Sequence, residues 1–167
     1  MTSNFNNDGR GFEKDLVRIC ELYKERGRAK LEKVEPPVRI IGWGPNRKVI
    51  FLPNPYLDFT GCWTEAGNRS LHFEAKSTTD PRLPCGGRDH FSMSQVNALR
   101  DWRKAGAGAF LLWEINGTVK LFFEIMINTA LEERKSLIFS DGLKVPSGKG
   151  FLFFDFLSVL EKYPELI

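Results

Sequence analysis

The chain has 167 residues, enough for one domain with its own core, at 42% apolar and 27% charged residues and a net charge of +3. That balance is ordinary for a globular protein and permits a basic patch without demanding a nucleic-acid partner. No apolar run approaches the ~20 residues of a membrane span, and the polar stretch from Met1 to Asp8 does not read as a secretory leader, so a cytoplasmic protein with no membrane partner is expected. The three cysteines, Cys20, Cys62 and Cys85, form no C-x-x-C pair and the histidines are only His72 and His90, which argues against a structural zinc site.

Residues 1–8 are polar and read as a flexible N-terminus, followed by a single domain over 9–167. From Gly11 to Arg26 the residues Phe12, Leu16, Ile19, Cys20 and Tyr23 recur at helical spacing, with Gly27 as a stop. Glu13 lies beside this apolar stripe. It can face a site, or simply complement the helix N-terminus. Arg10, Lys14 and Arg18 flank it and suit phosphates or plain solvent. Ala29–Val34 reads as a short strand before Pro36-Pro37, which excludes helix.

Val38–Ile41 and Lys48–Leu52 read as two strands around Gly-Trp-Gly-Pro-Asn, a projecting hairpin over about 36–52. It carries Arg39, Trp43, Arg47 and Lys48. Cations with an aromatic tip suit nucleic acid, although lysine and arginine also protect ordinary strand edges.

The next stretch holds the densest chemistry. Leu57–Trp63 and Ser70–Glu74 have strand character, and Gly67-Asn68 between them suits positive φ. A hairpin centred near Gly67 sets Asp58 opposite Ala75, give or take one residue. Glu74 and Lys76 share a face by alternation, so Asp58 can join them. Two carboxylates suit a hard cation such as Mg²⁺ that retains waters and accepts a phosphate. A lysine beside it can orient a water or stabilise charge at phosphorus. An isolated E-x-K triplet is more commonly a pair on the solvated face of a surface hairpin; the upstream Asp58 at hairpin spacing is what turns the reading toward a site.

Residues 77–93 read as a loop rich in Ser, Thr, Pro and Gly, with Arg82 and Arg88 as phosphate contacts. Ser94 is expected to cap a helix through about Lys104, with Val96, Leu99 and Trp102 inward and Arg100, Arg103 and Lys104 as a basic outer face. Gln95 in its first turn can meet a phosphate or a water on a metal, or stay solvated. Ala109–Ile115 and Thr118–Phe123 bracket Asn116-Gly117, a type I′ hairpin signal. A helix is expected over 128–135, a loop over 146–150 and a closing helix over 154–163. The order predicts an α/β (α+β) fold, a mixed sheet with helices packed on it. No phosphate-binding G-x-x-x-x-G-K-[ST] loop is present, so no nucleotide cofactor is expected.

Glu13 on a helix, then Asp58, then Glu74-Ala75-Lys76 and a helical Gln95 resemble the PD-(D/E)XK nuclease pattern. Gly11-Phe12-Glu13, Tyr23, Lys33 with Pro37, Asp58-x-x-Gly61 and Phe73-Glu74-Ala75-Lys76-Ser77-Thr78 narrow the resemblance to RecU-type Holliday junction resolvases, over about Gly9 to Phe123. The resemblance implies a restriction-endonuclease-like fold and a homodimer. Its implied activity is Mg²⁺-dependent (Mn²⁺ as a substitute) paired cleavage of a DNA four-way junction in recombination and repair. It implies Asp58, Glu74 and the Ala75 carbonyl as metal ligands, Lys76 assisting the attacking water, Glu13 supporting the metal site, and the 36–52 hairpin as a stalk entering the junction. The chain departs from the pattern in Leu57 before Asp58, in Asn54-Pro55-Tyr56 where a Ser/Thr run is expected, and in Ser94 where a histidine precedes the glutamine. Its short stalk suits a phage-encoded version. Two other readings stay open: a different DNA nuclease of the superfamily, restriction-like or recombination-associated, and a catalytically silent DNA-binding module.

Overall fold

The computed structural model describes residues 10–51, 57–86, 91–133, 136–148 and 153–167. The expected flexible N-terminus therefore lies outside the described residues. Helix α1 (Arg10–Glu25) buries Phe12, Leu16, Ile19, Cys20 and Tyr23 along one stripe. It ends where Gly27 takes φ 68° and bonds the Lys24 carbonyl, the left-handed stop that glycine adopts without a Cβ penalty. The chain turns directly into β1 (Ala29–Lys33).

Strands β2 (Val38–Ile41) and β3 (Lys48–Phe51) pair with each other in a separate two-stranded sheet, and each residue from Val38 to Ile50 is exposed. This is the projecting hairpin the sequence predicts. Strands β4 (Phe59–Trp63) and β5 (Arg69–Ser77) form the central hairpin, its turn using Gly67 at φ 70° and Asn68 at φ 62°. Phe59 pairs with Phe73. One further step along that register sets Asp58 opposite Glu74, one residue from the expected Ala75.

The stretch after β5 is more ordered than a loop, because β6 (Arg82–Leu83) pairs with a later strand. Helix α2 (Met93–Lys104) is capped by Ser92 and not by Ser94. Ser92 and Gln95 form a capping box, each side chain satisfying the other residue's amide. Strands β7 (Gly108–Ile115) and β8 (Thr118–Phe123) join through Asn116 at φ 49° and Gly117 at φ 79°, the two positive φ values of a type I′ turn. Helix α3 (Glu124–Glu132) starts four residues before its expected position. Then come β9 (Leu137–Ile138), β10 (Leu143–Lys144) and a single turn, α4 (Leu157–Leu160). The expected closing helix over 154–163 is thus shortened. Tyr23 and Arg28 hold the Asp155 side chain at its start, and Pro164 forces Tyr163 out of the helical region, to φ −132°.

The six-stranded sheet has the order β1-β4-β5-β7-β8-β10. Only β5 and β7 run parallel, and α2 supplies the crossover such a pair requires. It is a mixed sheet with helices on both faces, as the sequence predicts. On one face α1 and the C-terminal segment cover Leu71, Phe73 and Phe110. Phe59, Phe73 and Phe110 stack in a row at centroid separations of 4.8 and 5.0 Å, with Phe156 leaning on Phe73 at 5.3 Å. Each such fully buried ring contributes about 1.5–3 kcal/mol. On the other face α2 and α3 bury Val96, Leu99 and Ile127 against Leu111, Trp113 and Phe122.

Two features fasten this frame. The Arg28 guanidinium meets Glu65 at 2.9 Å, Asp155 at 3.0 Å and Glu161 at 2.8 Å, tying the α1–β1 turn to the central hairpin and the C-terminal segment. Gly61 lets β1 approach β4, since a Cβ there would lie 2.0 Å from the Lys30 carbonyl oxygen. The expected basic outer face of α2 is partly spent on packing. Arg100 donates to Asn128 at 2.7 Å, and Arg103 donates to the Ile167 carbonyl at 2.8 Å.

Candidate active site

Alternation along β5 sends Leu71, Phe73 and Ala75 toward α1, leaving His72, Glu74 and Lys76 on the α2 face. Glu74 is fully buried, a costly place for a carboxylate. Its Oε1 receives Lys76 Nζ at 2.6 Å and also accepts a hydrogen bond from Gln95 Nε2. Its Oε2 has no hydrogen-bond partner. Asp58 stands beside it, with Oδ2 accepting the Ala75 amide at 3.0 Å. Burial, reinforced by the Asp58 charge and opposed by Lys76, pushes the Glu74 carboxyl up to about 8.

Two carboxylates, one with an orphaned buried oxygen, are a donor set for a hard divalent cation. No group of three His, Cys, Asp or Glu side chains that could hold a metal occurs among the described residues. Two carboxylates suit an ion that keeps waters and takes a phosphate oxygen, and do not suit a closed zinc site.

Gln95 is placed by its own cap. Its Oε1 accepts the Ser92 amide at 3.0 Å, which aims the Nε2 end at Glu74. Beyond Lys76, Ser77 donates to Glu114 at 2.6 Å and Trp113 Nε1 donates to Thr78 at 2.9 Å, fixing the strand as it leaves the site. Glu13 does not join the carboxylate pair. Lys33 on β1 takes it at 2.7 Å, on the α1 side of the sheet. Glu13, ahead of smaller contributions from Glu35 and then Asp58, holds the Lys33 ammonium above its ordinary pKa. Lys33 thus lies within the field of all three acids. Glu13, Lys14, Val17 and Lys33 line an open cleft of about 420 Å³.

A family model for recombination protein U matches residues 7–137. The chain belongs to the RecU family. It is accordingly a Holliday junction resolvase, a class of endonuclease. The RecU match takes in α1, the three hairpins β2–β3, β4–β5 and β7–β8, α2 and α3, and ends at the start of β9. Among solved structures the chain is similar to Hjc, a Holliday junction resolvase from the archaeal hyperthermophile Archaeoglobus fulgidus. The two are 21% identical, with 80% of this chain and 93% of that chain covered and a TM-score of 0.48. No curated protein sequence matches.

Two RecU-like sequence features acquire physical meaning here. Gly61 of Asp58-x-x-Gly61 is the point of closest approach between β1 and β4, and Lys33 is the counterion of Glu13. Ser92-x-x-Gln95 was the sequence signal for the cap, and the alternation of Ala29, Leu31 and Lys33 was the signal for Lys33. Arg39, Trp43, Arg47 and Lys48 are all exposed on the β2–β3 hairpin, and Arg82 is exposed at the start of β6. Arg18 lies over the Phe153 ring at 5.4 Å. Arg88 and the Arg10 side chain lie outside the described residues. No described helix is long and apolar enough to cross a membrane.

Proposed function

We propose that resolution proceeds by Mg²⁺-dependent hydrolysis at Asp58 and Glu74, with paired cuts made by a homodimer. The observation that carries the site is the buried Glu74 carboxylate, held by Lys76 and Gln95 on one oxygen and unpartnered on the other, beside Asp58. Asp58, Glu74 and the Ala75 carbonyl are the ligands of this reading. A bound divalent cation supplies a water of lowered pKa and neutralises charge at the phosphate.

The chain's own groups do the rest. Gln95 clamps Glu74 Oε1, leaving Oε2 as the oxygen that would ligate the ion. Lys76 Nζ, 2.6 Å from that same Oε1, orients the attacking water and faces the charge that grows on the phosphate oxygens. Asp58 is pinned by the Ala75 amide and holds its position without the ion. Glu13 acts at one remove, setting Lys33 near the Asp58 edge. Lys14, Arg39, Arg47, Lys48, Arg82, Arg10 and Arg88 serve phosphates in this reading, with Trp43 stacking on a base.

The homodimer is supported by the β2–β3 hairpin. Its register puts Val38, Ile40 and Val49 on one face and Arg39, Ile41, Lys48 and Ile50 on the other. The first face is apolar and exposed, and a two-stranded ribbon is marginal without something packed on it. A second copy related by a two-fold axis covers it with an identical face, leaving Arg39 and Lys48 for the junction. Asp58→Asn and Lys76→Ala test the site. Each is expected to lose cleavage by orders of magnitude while still binding a four-way junction, and cleavage retained by either variant overturns the assignment.

A further inference from the structure

A second cleft opens beside the carboxylates, about 210 Å³ in volume and lined by Val34, Leu57, Phe59, Thr60, His72 and Trp102. It is continuous with the site along two strands. Leu57 and Phe59 flank Asp58 in the chain, and His72 precedes Glu74 by two residues on the same face of β5, about 7 Å along the strand. Among the described residues no cationic side chain lines the cleft.

One wall is a flat aromatic pair. The Trp102 indole lies on the His72 imidazole with centroids 3.5 Å apart and planes 7° from parallel. His72 is rigid and chemically occupied, because Thr60 Oγ1 meets Nδ1 at 2.9 Å and Ser70 Oγ meets Nε2 at 2.8 Å. Both ring nitrogens are thus engaged by hydroxyls, and neither is left free for proton transfer. Trp102 nevertheless keeps 37% of its surface open, among the more exposed large apolar residues.

We propose that this cleft takes one nucleobase of the cut strand, unstacked from its neighbours and laid against Trp102, and so sets the position of the phosphate over Asp58 and Glu74. The occupant follows from the chemistry. The described lining of the cleft is apolar and aromatic, and two of its residues, Leu57 and Phe59, flank Asp58 in the chain. Stacking on an aromatic side chain is the interaction that single nucleobases offer to such a wall. Trp102 is then a positioning residue, tolerant of base identity because every base presents a π-face. This rests on the nuclease reading of Asp58 and Glu74.

The test couples protein and DNA. Wild-type cleavage of a four-way junction with Mg²⁺ first maps the cut. Junctions are then made with one abasic position at a time within a few nucleotides of it, and their binding is measured in EDTA for wild type, Trp102→Leu and Trp102→Phe. One abasic position is expected to weaken wild-type binding by roughly 5- to 150-fold, the range of a single base–aromatic stack. Trp102→Leu is expected to bind the intact junction that much more weakly and to ignore the abasic change, while Trp102→Phe recovers most of both effects. Val34→Phe, which narrows the mouth and leaves the His72–Trp102 stack alone, gives the same insensitivity should Trp102→Leu fail to fold. Losses that simply multiply, or no sensitive position, overturn the subsite and leave the nuclease standing. No wild-type cut at all overturns the nuclease reading and the subsite with it.

Discussion

Replacing Glu74 by glutamine is expected to stabilise the metal-free protein near neutral pH and to abolish its response to divalent cations. Burial, ahead of repulsion from Asp58, lifts this carboxyl from its ordinary 4.5 to about 8. Between those two values the native state holds a proton that the unfolded chain has released. The contribution is therefore fully present below about pH 4.5 and is lost as pH rises through about 8, at about 1.4 kcal/mol per pH unit. From pH 4.5 to about 7.5 is three units, a ceiling of about 4 kcal/mol. Glutamine keeps the shape and carries no charge at any pH. The variant should accordingly match wild type near pH 4.5 and exceed it by up to about 4 kcal/mol near pH 7.5. Added Mg²⁺ or Mn²⁺ should raise wild-type stability by mass action and leave the variant unmoved. Urea unfolding at both pH values, in EDTA and in Mg²⁺, measures all of this. Parallel stability–pH curves for the two proteins in EDTA would refute the reasoning.

Gly61→Ala should cost about 3 kcal/mol or more, since the added Cβ meets backbone atoms of β1 and not a side chain that can swing away; a denaturation midpoint within error of wild type contradicts it. Arg28→Met keeps the stem and removes three ion pairs. It should cost about 1–3 kcal/mol, a range held down by the half-exposed Glu65 and Glu161, and urea titration reads it. Ile40→Glu on the apolar face of the ribbon should shift the protein to monomer in analytical ultracentrifugation, whereas Arg39→Glu should leave the mass unchanged and weaken junction binding. A wild-type monomer at micromolar concentration would remove the dimer from the account.

Local signals carried much of this structure. The α1 stripe from Phe12 to Tyr23, the Gly67-Asn68 and Asn116-Gly117 turns and the alternation of β5 each depend on neighbours in sequence, so the chain displays them directly. That alternation, together with hairpin spacing, was enough to bring Asp58, Glu74 and Lys76 together within one residue of register. Gln95 is legible as a first-turn residue able to meet a phosphate or a water on a metal, but its contact to Glu74 depends on Ser92 capping the helix and aiming the amide. The resemblance implies that Glu13 supports the metal site, yet it pairs with Lys33 across two elements that no spacing rule connects. Strands β9 and β10 are two residues each, too short for any alternation to show. The closing helix was overestimated because Asp155 and Pro164 interrupt a pattern whose apolar spacing is otherwise helical.

The central claim is that this chain cuts four-way junctions at a divalent-cation site. Its most direct test is incubation of the protein with an end-labelled four-way junction and a matched linear duplex, each with Mg²⁺ and with EDTA. The account predicts symmetric cuts in the junction, none in the duplex and none in EDTA. Equal cutting of the duplex, or junction cleavage that persists in EDTA, would contradict it.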